Sequence, residues 1–251
     1  MSIAANRFFR PLLWPTLLTT AMLPVLIGLG VWQVQRLHWK DALLERIESR
    51  LSQAPVDLPP PRTWPDLDIA ALEYTRVHLT GHFGTREFHY FTQNTDGTPG
   101  YAVLSPLDAG GGALILVDRG FVPQALKDPA MHGAAPQGEV SFTGILRAPG
   151  HRVWVSGADD PEKNIWMVRD PAVMGAELEV ADLKMKNIAP FIVEAEADAL
   201  PGEWPKAGTT RPDIPNNHLD YALTWFGLAV VLMGVYLSYH WSNGRIGKRG
   251  M

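Results

Sequence analysis

The sequence predicts an α+β fold in which two terminal transmembrane helices flank a mostly antiparallel, β-rich extracytoplasmic domain. Three observations favour this architecture: a long uncharged apolar run near each end of the 251 residues, a proline-rich segment after the first run, and alternating apolar and polar residues between them. Apolar residues make up 46% of the chain and charged residues only 19%, and the apolar excess is concentrated at the two ends.

The first apolar run has no charged residue between Arg10 and Arg36. About 20 apolar residues let a helix cross a bilayer, so we predict a transmembrane helix over residues 11–35. Pro15 and Pro24 lie inside it, which membrane helices tolerate. A cleavable signal peptide is the alternative, but its apolar core would be only about 7–15 residues long. We expect an uncleaved anchor, because the run continues into a helical pattern.

Residues 36–66 are predicted as an amphipathic helical extension of this span, followed by a proline-rich linker. Apolar residues recur at helical spacing at Leu43, Leu44, Ile47 and Leu51. Five prolines between Pro55 and Pro65 then end the helix and stiffen the chain. This segment therefore marks the entry to the central domain.

Residues 67–217 are predicted to form the β-rich domain. Val77, Leu79 and Phe83 alternate with polar residues, which is the period of a half-buried strand. Gly84 separates this run from a second one, and we interpret the pair as a hairpin. The unbroken apolar run over residues 114–117 predicts a central strand that is buried on both faces. The stretch "DPAVMGAEL" predicts a short helix.

A second uncharged run lies between Asp220 and Arg245, and it predicts a transmembrane helix over residues 218–240 and a tail over residues 241–251. Two buried helices of a soluble protein are the weaker alternative. Positive residues in short tails favour the cytoplasmic side. They occur here at Arg7, Arg10, Arg245, Lys248 and Arg249. We therefore expect a multi-pass protein with cytoplasmic termini and a periplasmic central domain. The residues before the first span do not resemble a mitochondrial transit peptide, which favours a bacterial inner membrane.

Several classes of function are disfavoured. The chain has no cysteine, which excludes disulfides and thiolate metal sites. Its net charge is −4 without a basic block, so we do not expect nucleic acid as a partner. The motifs G-x-S-x-G and H-E-x-x-H and the P-loop do not occur, so we do not expect an enzyme.

Two features of the central domain have competing interpretations. His78 and His82 share one face of a predicted strand and His89 lies on the next strand; three imidazoles can bind a metal, but solvent-facing positions are the favoured interpretation. Arg119 lies in "VDRGFVP", where we expect the strand to end. Its planar guanidinium can bind a carboxylate such as a propionate, or it can tie the strand end to a neighbouring loop, and the second is favoured.

Polar and aromatic residues cluster where the two spans reach the outer surface. His218, Tyr221, Trp225 and Leu232 share one face of the second span. At the corresponding end of the first span, Gln33, Arg36 and Lys40 recur at helical spacing, and Trp32 and Trp39 lie on an adjacent stripe. If the helices are antiparallel neighbours, these residues form a pocket with apolar depth, indole walls and one imidazole. Interfacial aromatics are also common as plain anchors, and for Trp32 both interpretations remain open. A neutral imidazole in this position is a good axial ligand for haem iron.

Six stretches of the chain together resemble the Surf1/Shy1 family of cytochrome c oxidase assembly factors. They are "GVWQVQRLHWK", "GYAVLSPL", "LVDRGFVP", "FTGILR", "APFIVEAE" and "NNHLDYALTWFGLA". The resemblance covers nearly the whole chain, and the order of the stretches between two terminal spans is specific. "DRGFVP" departs mildly from the family's more usual "NRGWVP", with Phe121 in place of the indole.

The resemblance implies a non-enzymatic role in building the haem–copper centre of cytochrome c oxidase, with transiently bound haem a as cofactor. The family's histidine at the start of the second span corresponds to His218, and its tryptophan seven residues on corresponds to Trp225. His218 is therefore expected to ligate the haem iron and Trp225 to pack against the porphyrin. Arg36, Lys40 or Arg119 would meet the propionates.

The expected partners are the oxidase catalytic subunit, haem a synthase and the lipid bilayer. Two alternatives stay open. One is a haem-free scaffold that stabilises an oxidase subunit during assembly. The other is an anchored enzyme acting on haem or lipid, whose turnover would depend on Arg119 or His78.

Overall fold

The computed structural model describes residues 9–154, 156–180, 187–197, 199–208 and 217–246. The chain divides into two compact units, a helical unit (Met1–Arg46 with Ile214–Met251) and a sheet unit (Ile47–Asp213). Three of the basic residues behind the expectation of cytoplasmic termini, namely Arg7, Lys248 and Arg249, lie outside the described residues.

The described chain begins and ends with a long helix, and the strands lie between these two helices with several short helices among them. In chain order the elements are α1 (Leu13–Leu51), β1 (Val56–Asp57), a 3₁₀ helix (Pro61–Asp66), α2 (Ile69–Leu72), β2 (Arg76–Phe83), β3 (Phe88–Gln93), β4 (Pro99–Asp108), β5 (Ala113–Pro123), a second 3₁₀ helix (Gln124–Leu126), α3 (Pro129–His132), β6 (Glu139–Arg147), α4 (Pro171–Val180), β7 (Asn187–Ala195) and α5 (His218–Ser242).

The predicted first span and its extension form the single helix α1, whose 39 residues correspond to about 58 Å. Pro24 lies inside this helix without ending it. Both α1 and α5 are long and apolar enough to cross a membrane, and only 17% and 11% of their most apolar windows are buried. Core helices of a soluble protein would hide this surface. The exposure is consistent with membrane anchoring.

Among its described residues, the sheet unit forms a sheet of seven strands in the order β1-β2-β6-β7-β5-β4-β3. The end of β2 also pairs with β4, at His82–Asp108 and Phe83–Leu107, so that β2, β6, β7, β5 and β4 close into a ring. The pairs β1–β2 and β5–β7 are parallel, and the other pairs are antiparallel. The sequence pattern did not indicate the parallel pairs or the closure.

The core confirms the local predictions for the strands and the short helix. Val77 and Leu79 of β2 lie in the main apolar cluster, with Phe83 packed against it. All residues of β5 from Ala113 to Val122 are buried, as expected for a strand between β7 and β4. Helix α4 covers the other face of the sheet through residues such as Met174, which is fully buried. Each such side chain stabilises the fold by about 1.5–3 kcal/mol.

The predicted hairpin at Gly84 is wrong. The Gly84 N–H donates to Pro106 O over 2.8 Å, so the chain passes the end of β4 instead of turning back. Strand β3 then pairs with β4, and β2 pairs with β6 along its length. Because hairpin strands pair with each other, the short spacing between β2 and β3 was misleading.

The strand expected to end at Arg119 continues to Pro123. Gly120 has a φ of +125°, and a Cβ added there would lie 2.2 Å from Lys206 O. This close approach lets Phe121 and Lys206 exchange two backbone hydrogen bonds of 2.9 Å. A glycine is required at this position because any side chain would meet both the backbone strain and the opposing carbonyl.

Candidate functional site

The candidate site lies in the helical unit, where α1 and α5 pack antiparallel. The start of α1 contacts the end of α5, with Thr16 Oγ1 2.9 Å from the Tyr236 hydroxyl, and the middle of α1 contacts the start of α5. Buried and half-buried residues recur every three or four positions along α5, at His218, Ala222, Trp225, Ala229, Leu232, Tyr236 and His240. These residues form the line of contact with α1, which we call the seam. The seam combines small and polar side chains, which is typical of helix contacts in membranes.

His218 faces the partner helix. Its Nδ1 lies 2.7 Å from Oε1 of Gln33, whose side chain is buried on α1. An amide oxygen only accepts hydrogen bonds, so Nδ1 carries the proton and donates. A neutral imidazole then has its lone pair on Nε2. Histidine ligands of metals are commonly oriented by such a bond on the other ring nitrogen.

The two helices touch closely about two turns along α5 from His218. A Cβ added to Gly30 would lie 2.6 Å from the ring of Phe226. The absence of a side chain at Gly30 therefore makes room for this ring. The Phe226 ring therefore fills the space between the two helices beside Gly30.

The other end of the seam contains a second histidine with a different environment. His240 is fully buried, its Nδ1 lies 2.8 Å from Tyr236 O, and its Nε2 accepts the Leu12 N–H over 3.0 Å. Both ring nitrogens are thus occupied by backbone groups. His240 satisfies one of the N–H groups that the start of α1 leaves without a helical partner.

The remaining predicted residues of the helical unit differ in exposure, and Lys40, one of the expected propionate partners, is buried. Trp225 is half-buried on the seam, whereas Tyr221 is 56% and Trp32 is 54% exposed. Arg36 is exposed, with its guanidinium carbon 3.9 Å from the ring centroid of Trp39. The structure thus brings His218 together with Gln33 and places Trp225 on the same seam. Tyr221, Trp32 and Arg36 present surface to the surroundings.

Arg119 belongs to the sheet unit. It is 3% exposed, its Nη2 donates to the carbonyls of Gly133 and Ala134 at 3.2 and 3.0 Å, and its Nη1 lies 3.4 Å from Glu87 Oε2. These contacts tie β5 to the segment after α3 and support the structural interpretation of this arginine.

The favoured interpretation of the strand histidines as solvent-facing is confirmed for His78 and His82 and is wrong for His89. His78 and His82 are exposed on β2, and His78 Nε2 lies 3.0 Å from Ser141 Oγ. His89 is buried elsewhere in the sheet unit, because β3 does not form a hairpin with β2.

The sequence matches the SURF1 family over residues 20–230, which includes α1 from its eighth residue, the sheet unit and the first half of α5. The chain belongs to this family. The resemblance seen in the sequence is thereby confirmed. The matched region of the SURF1 family contains both members of the His218–Gln33 pair and also Trp225.

Curated relatives cover most of the chain. It is 32% identical over 231 residues to Surfeit locus protein 1 of Mus musculus, which covers 85% of this chain and 70% of the mouse protein. The human protein of the same name is 30% identical over 85% of this chain and 72% of its own length. A SURF1-like protein of Monosiga brevicollis is 31% identical over 85% of this chain and 82% of its own length.

Within this SURF1 chain, the sequence placed His218 and Gln33 in facing clusters at the ends of the two apolar runs but did not predict their hydrogen bond. Gln33 stands out as an uncharged polar residue next to the exposed end of an apolar run, three positions before Arg36. Polar side chains within membrane helices usually face a partner or a cavity, and this signal could have assigned Gln33 to the seam.

Proposed function

We propose that this chain is a membrane-anchored assembly factor for cytochrome c oxidase that binds haem a and aids its insertion into the catalytic subunit. The observation that carries the proposal is the His218–Gln33 hydrogen bond, which orients the imidazole and leaves the Nε2 lone pair for a metal. Membership of the SURF1 family supports the link to the oxidase.

The residues of the helical unit fit the chemistry of haem a. This molecule is amphipathic, with an iron that binds imidazole, two anionic propionates and a long apolar tail. The unit offers the Nε2 of His218, the exposed guanidinium of Arg36 and a broad apolar surface on α5. Because Gly30 and Phe226 fill the seam, we expect the macrocycle to lie beside Trp225 on the lipid-facing surface of the helix pair.

Each residue has a defined role in this proposal. His218 binds the iron through Nε2, and Trp225 covers the porphyrin with its indole ring. Arg36 binds a propionate, while Tyr221 and Trp32 add aromatic surface at the membrane boundary. A single protein ligand suits a carrier, since transfer to the oxidase requires release.

The proposed setting is a bacterial inner membrane, with α1 and α5 as spans, both termini in the cytoplasm and the sheet unit in the periplasm. The apolar exposure of both helices supports insertion in a bilayer. The catalytic subunit of the oxidase would receive the haem, and haem a synthase would supply it. The chain itself would catalyse no reaction.

The decisive experiment is an absorption spectrum of the detergent-purified chain after coexpression with a haem a biosynthetic pathway. Wild type and the control His82→Ala, which removes an exposed imidazole from the sheet unit, should both contain haem a. His218→Ala should lose the haem or show a changed spectrum while eluting at the same volume in gel filtration. A colourless wild type, or an unchanged spectrum for His218→Ala, would contradict the proposal.

A haem-free scaffold is the second candidate, and one observation favours it. Trp154 is 96% exposed in the sheet unit, next to Val153, which is 55% exposed. Exposed indoles are common at the centres of protein interfaces. This candidate predicts a colourless protein that copurifies with the catalytic subunit. Trp154→Ala should then weaken copurification more than His218→Ala does.

A further inference from the structure

A buried cluster of ionisable side chains lies in the sheet unit and plays no part in the proposed haem site. Glu87 precedes β3, His89 is the second residue of β3, and His132 is the last residue of α3. Glu87 Oε1 lies 2.9 Å from His89 Nε2 and 3.1 Å from His132 Nε2. The three side chains are only 10%, 4% and 0% exposed.

The hydrogen bonds of His132 leave one of its nitrogens unsatisfied. Its Nδ1 lies 2.6 Å from Leu126 O, and a carbonyl only accepts, so Nδ1 carries the proton. In the neutral ring the Nε2 lone pair then faces the Glu87 carboxylate, and Nε2 is fully buried with no hydrogen bond to any residue that the structure describes. Two lone pairs facing each other away from water repel, so this arrangement needs a positive charge, either a metal cation between the two groups or a proton on Nε2.

We propose that Glu87, His89 and His132 form a binding site for a divalent transition-metal cation of the zinc type. The three ligand atoms lie within 4.8 Å of one another. Zinc binds imidazole nitrogen and carboxylate oxygen at about 2.0–2.2 Å in tetrahedral geometry, which places ligand atoms about 3.3 Å apart. The two separations from Glu87 Oε1, 2.9 and 3.1 Å, need to open by a few tenths of an ångström, and the two Nε2 atoms, which lie within 4.8 Å of each other, need to adjust to the same spacing.

The surroundings support the two histidines as neutral ligands. The His132 Nδ1 bond to Leu126 O fixes this ring with Nε2 towards the cluster, as outer contacts of metal-binding histidines commonly do. The His89 Nδ1 lies 3.4 Å from Asn164 Nδ2. Metal binding through His89 Nε2 moves the ring proton to Nδ1, so the bond to the metal replaces the 2.9 Å hydrogen bond to Glu87 Oε1, and the long contact with Asn164 Nδ2 is given up.

The charge of the cluster sets the expected strength of binding. Arg119 Nη1 lies 3.4 Å from Glu87 Oε2 and leaves Oε1 to the cation. Since Arg119 already offsets the carboxylate charge, we expect a site of moderate affinity.

The test is a titration of the full, EDTA-stripped chain in detergent with Co²⁺, followed by competition with Zn²⁺. Wild type should bind one equivalent and develop the visible absorption of tetrahedral cobalt, which Zn²⁺ abolishes. Glu87→Gln and His132→Gln should weaken binding by about 100-fold or abolish it, because each removes a ligand. His78→Gln is the matched control, since it removes an exposed imidazole from the same unit and should bind as wild type does.

Two results would overturn the site: a wild type without the cobalt spectrum, or equal binding by His132→Gln and wild type. The first result would leave a protonated His132 as the cation that faces Glu87.

If the cluster variants do not fold, X-ray absorption of the zinc-loaded wild type decides the question. Two imidazoles and one carboxylate in the coordination shell support the proposal, and any shell with fewer than two imidazoles contradicts it. Equal binding by His218→Ala would show that the site is independent of haem.

Discussion

Gln33 and His218 join the two long helices through a hydrogen bond of 2.7 Å between Oε1 and Nδ1. Gln33 lies near the middle of α1, where its apolar run ends, and His218 is the first residue of α5. The bond does two things at once. It fixes which face of α5 packs against α1, and it determines which ring nitrogen of His218 carries the lone pair.

Replacing Gln33 by leucine should therefore weaken haem binding without removing the ligand. Gln33→Leu keeps the volume but loses the acceptor, so the imidazole is less well oriented and less basic. We expect the affinity for haem to fall by about tenfold, measured by titration of the Soret band. Gln35→Leu is the control, because Gln35 is exposed on the same helix. Equal affinities for the two variants would show that the Gln33 contact does not orient the ligand.

The contact between Gly30 and Phe226 leads to a prediction about stability. In Gly30→Val the new side chain would start 2.6 Å from the aromatic ring, so the helices must separate. We expect a loss of about 1–3 kcal/mol in the free energy of unfolding of the helical unit, measured by SDS titration in mixed micelles. Gly28→Val changes the helix backbone in the same way, but its Cβ meets nothing within 4 Å. Equal destabilisation by both variants would contradict the packing argument.

His240 should contribute to stability and not to haem binding. His240→Ala leaves the Leu12 N–H without its acceptor, at a cost of about 1–3 kcal/mol in unfolding free energy. The 22 residues from His218 to His240 correspond to about 33 Å along the helix, so one haem cannot reach both imidazoles. The haem spectrum of His240→Ala should match wild type, and a spectrum like that of His218→Ala would contradict this division of roles.

Burial patterns that repeat along a single segment could be predicted from the sequence. The alternation at Val77 and Leu79 and the unbroken apolar run in β5 each reflect which faces of one strand are covered. The prediction of α4 is also local, because it depends on only ten consecutive residues. The position of His218 at the start of an apolar run was visible for the same reason.

Relationships between distant segments could not be predicted in this way. Strand β5 pairs in parallel with β7, about 75 residues farther along, and periodicity within a strand does not identify its neighbour. The choice of Gln33 as the partner of His218 depends on which face of α1 meets α5, and this depends on the contact between Gly30 and Phe226. The cluster of Glu87, His89 and His132 likewise forms only after α3 folds against β3.

The buried carboxyl of Asp118 should make the stability of the sheet unit depend on pH. Burial and the nearby charge of Glu194 raise the pKa of Asp118 from 3.8 to about 6, against the opposing effects of Arg169 and the Gly120 N–H. Between about pH 4 and pH 6 the folded chain therefore holds a proton that the unfolded chain has released. The unfolding free energy must fall as the pH rises through this window, by at most about 3 kcal/mol.

Asp118→Asn tests this sign directly, because its side chain stays neutral at every pH and keeps an oxygen for the Gly120 N–H. The stability of the variant relative to wild type should therefore increase as the pH rises from about 4 to 6, since only wild type must ionise a buried carboxyl. Urea unfolding in detergent, followed by circular dichroism at several pH values, measures the difference. Asp96→Asn, at an exposed position, is the control and should follow the wild-type pH profile. A constant difference between Asp118→Asn and wild type across this range would show that Asp118 does not titrate in the folded chain.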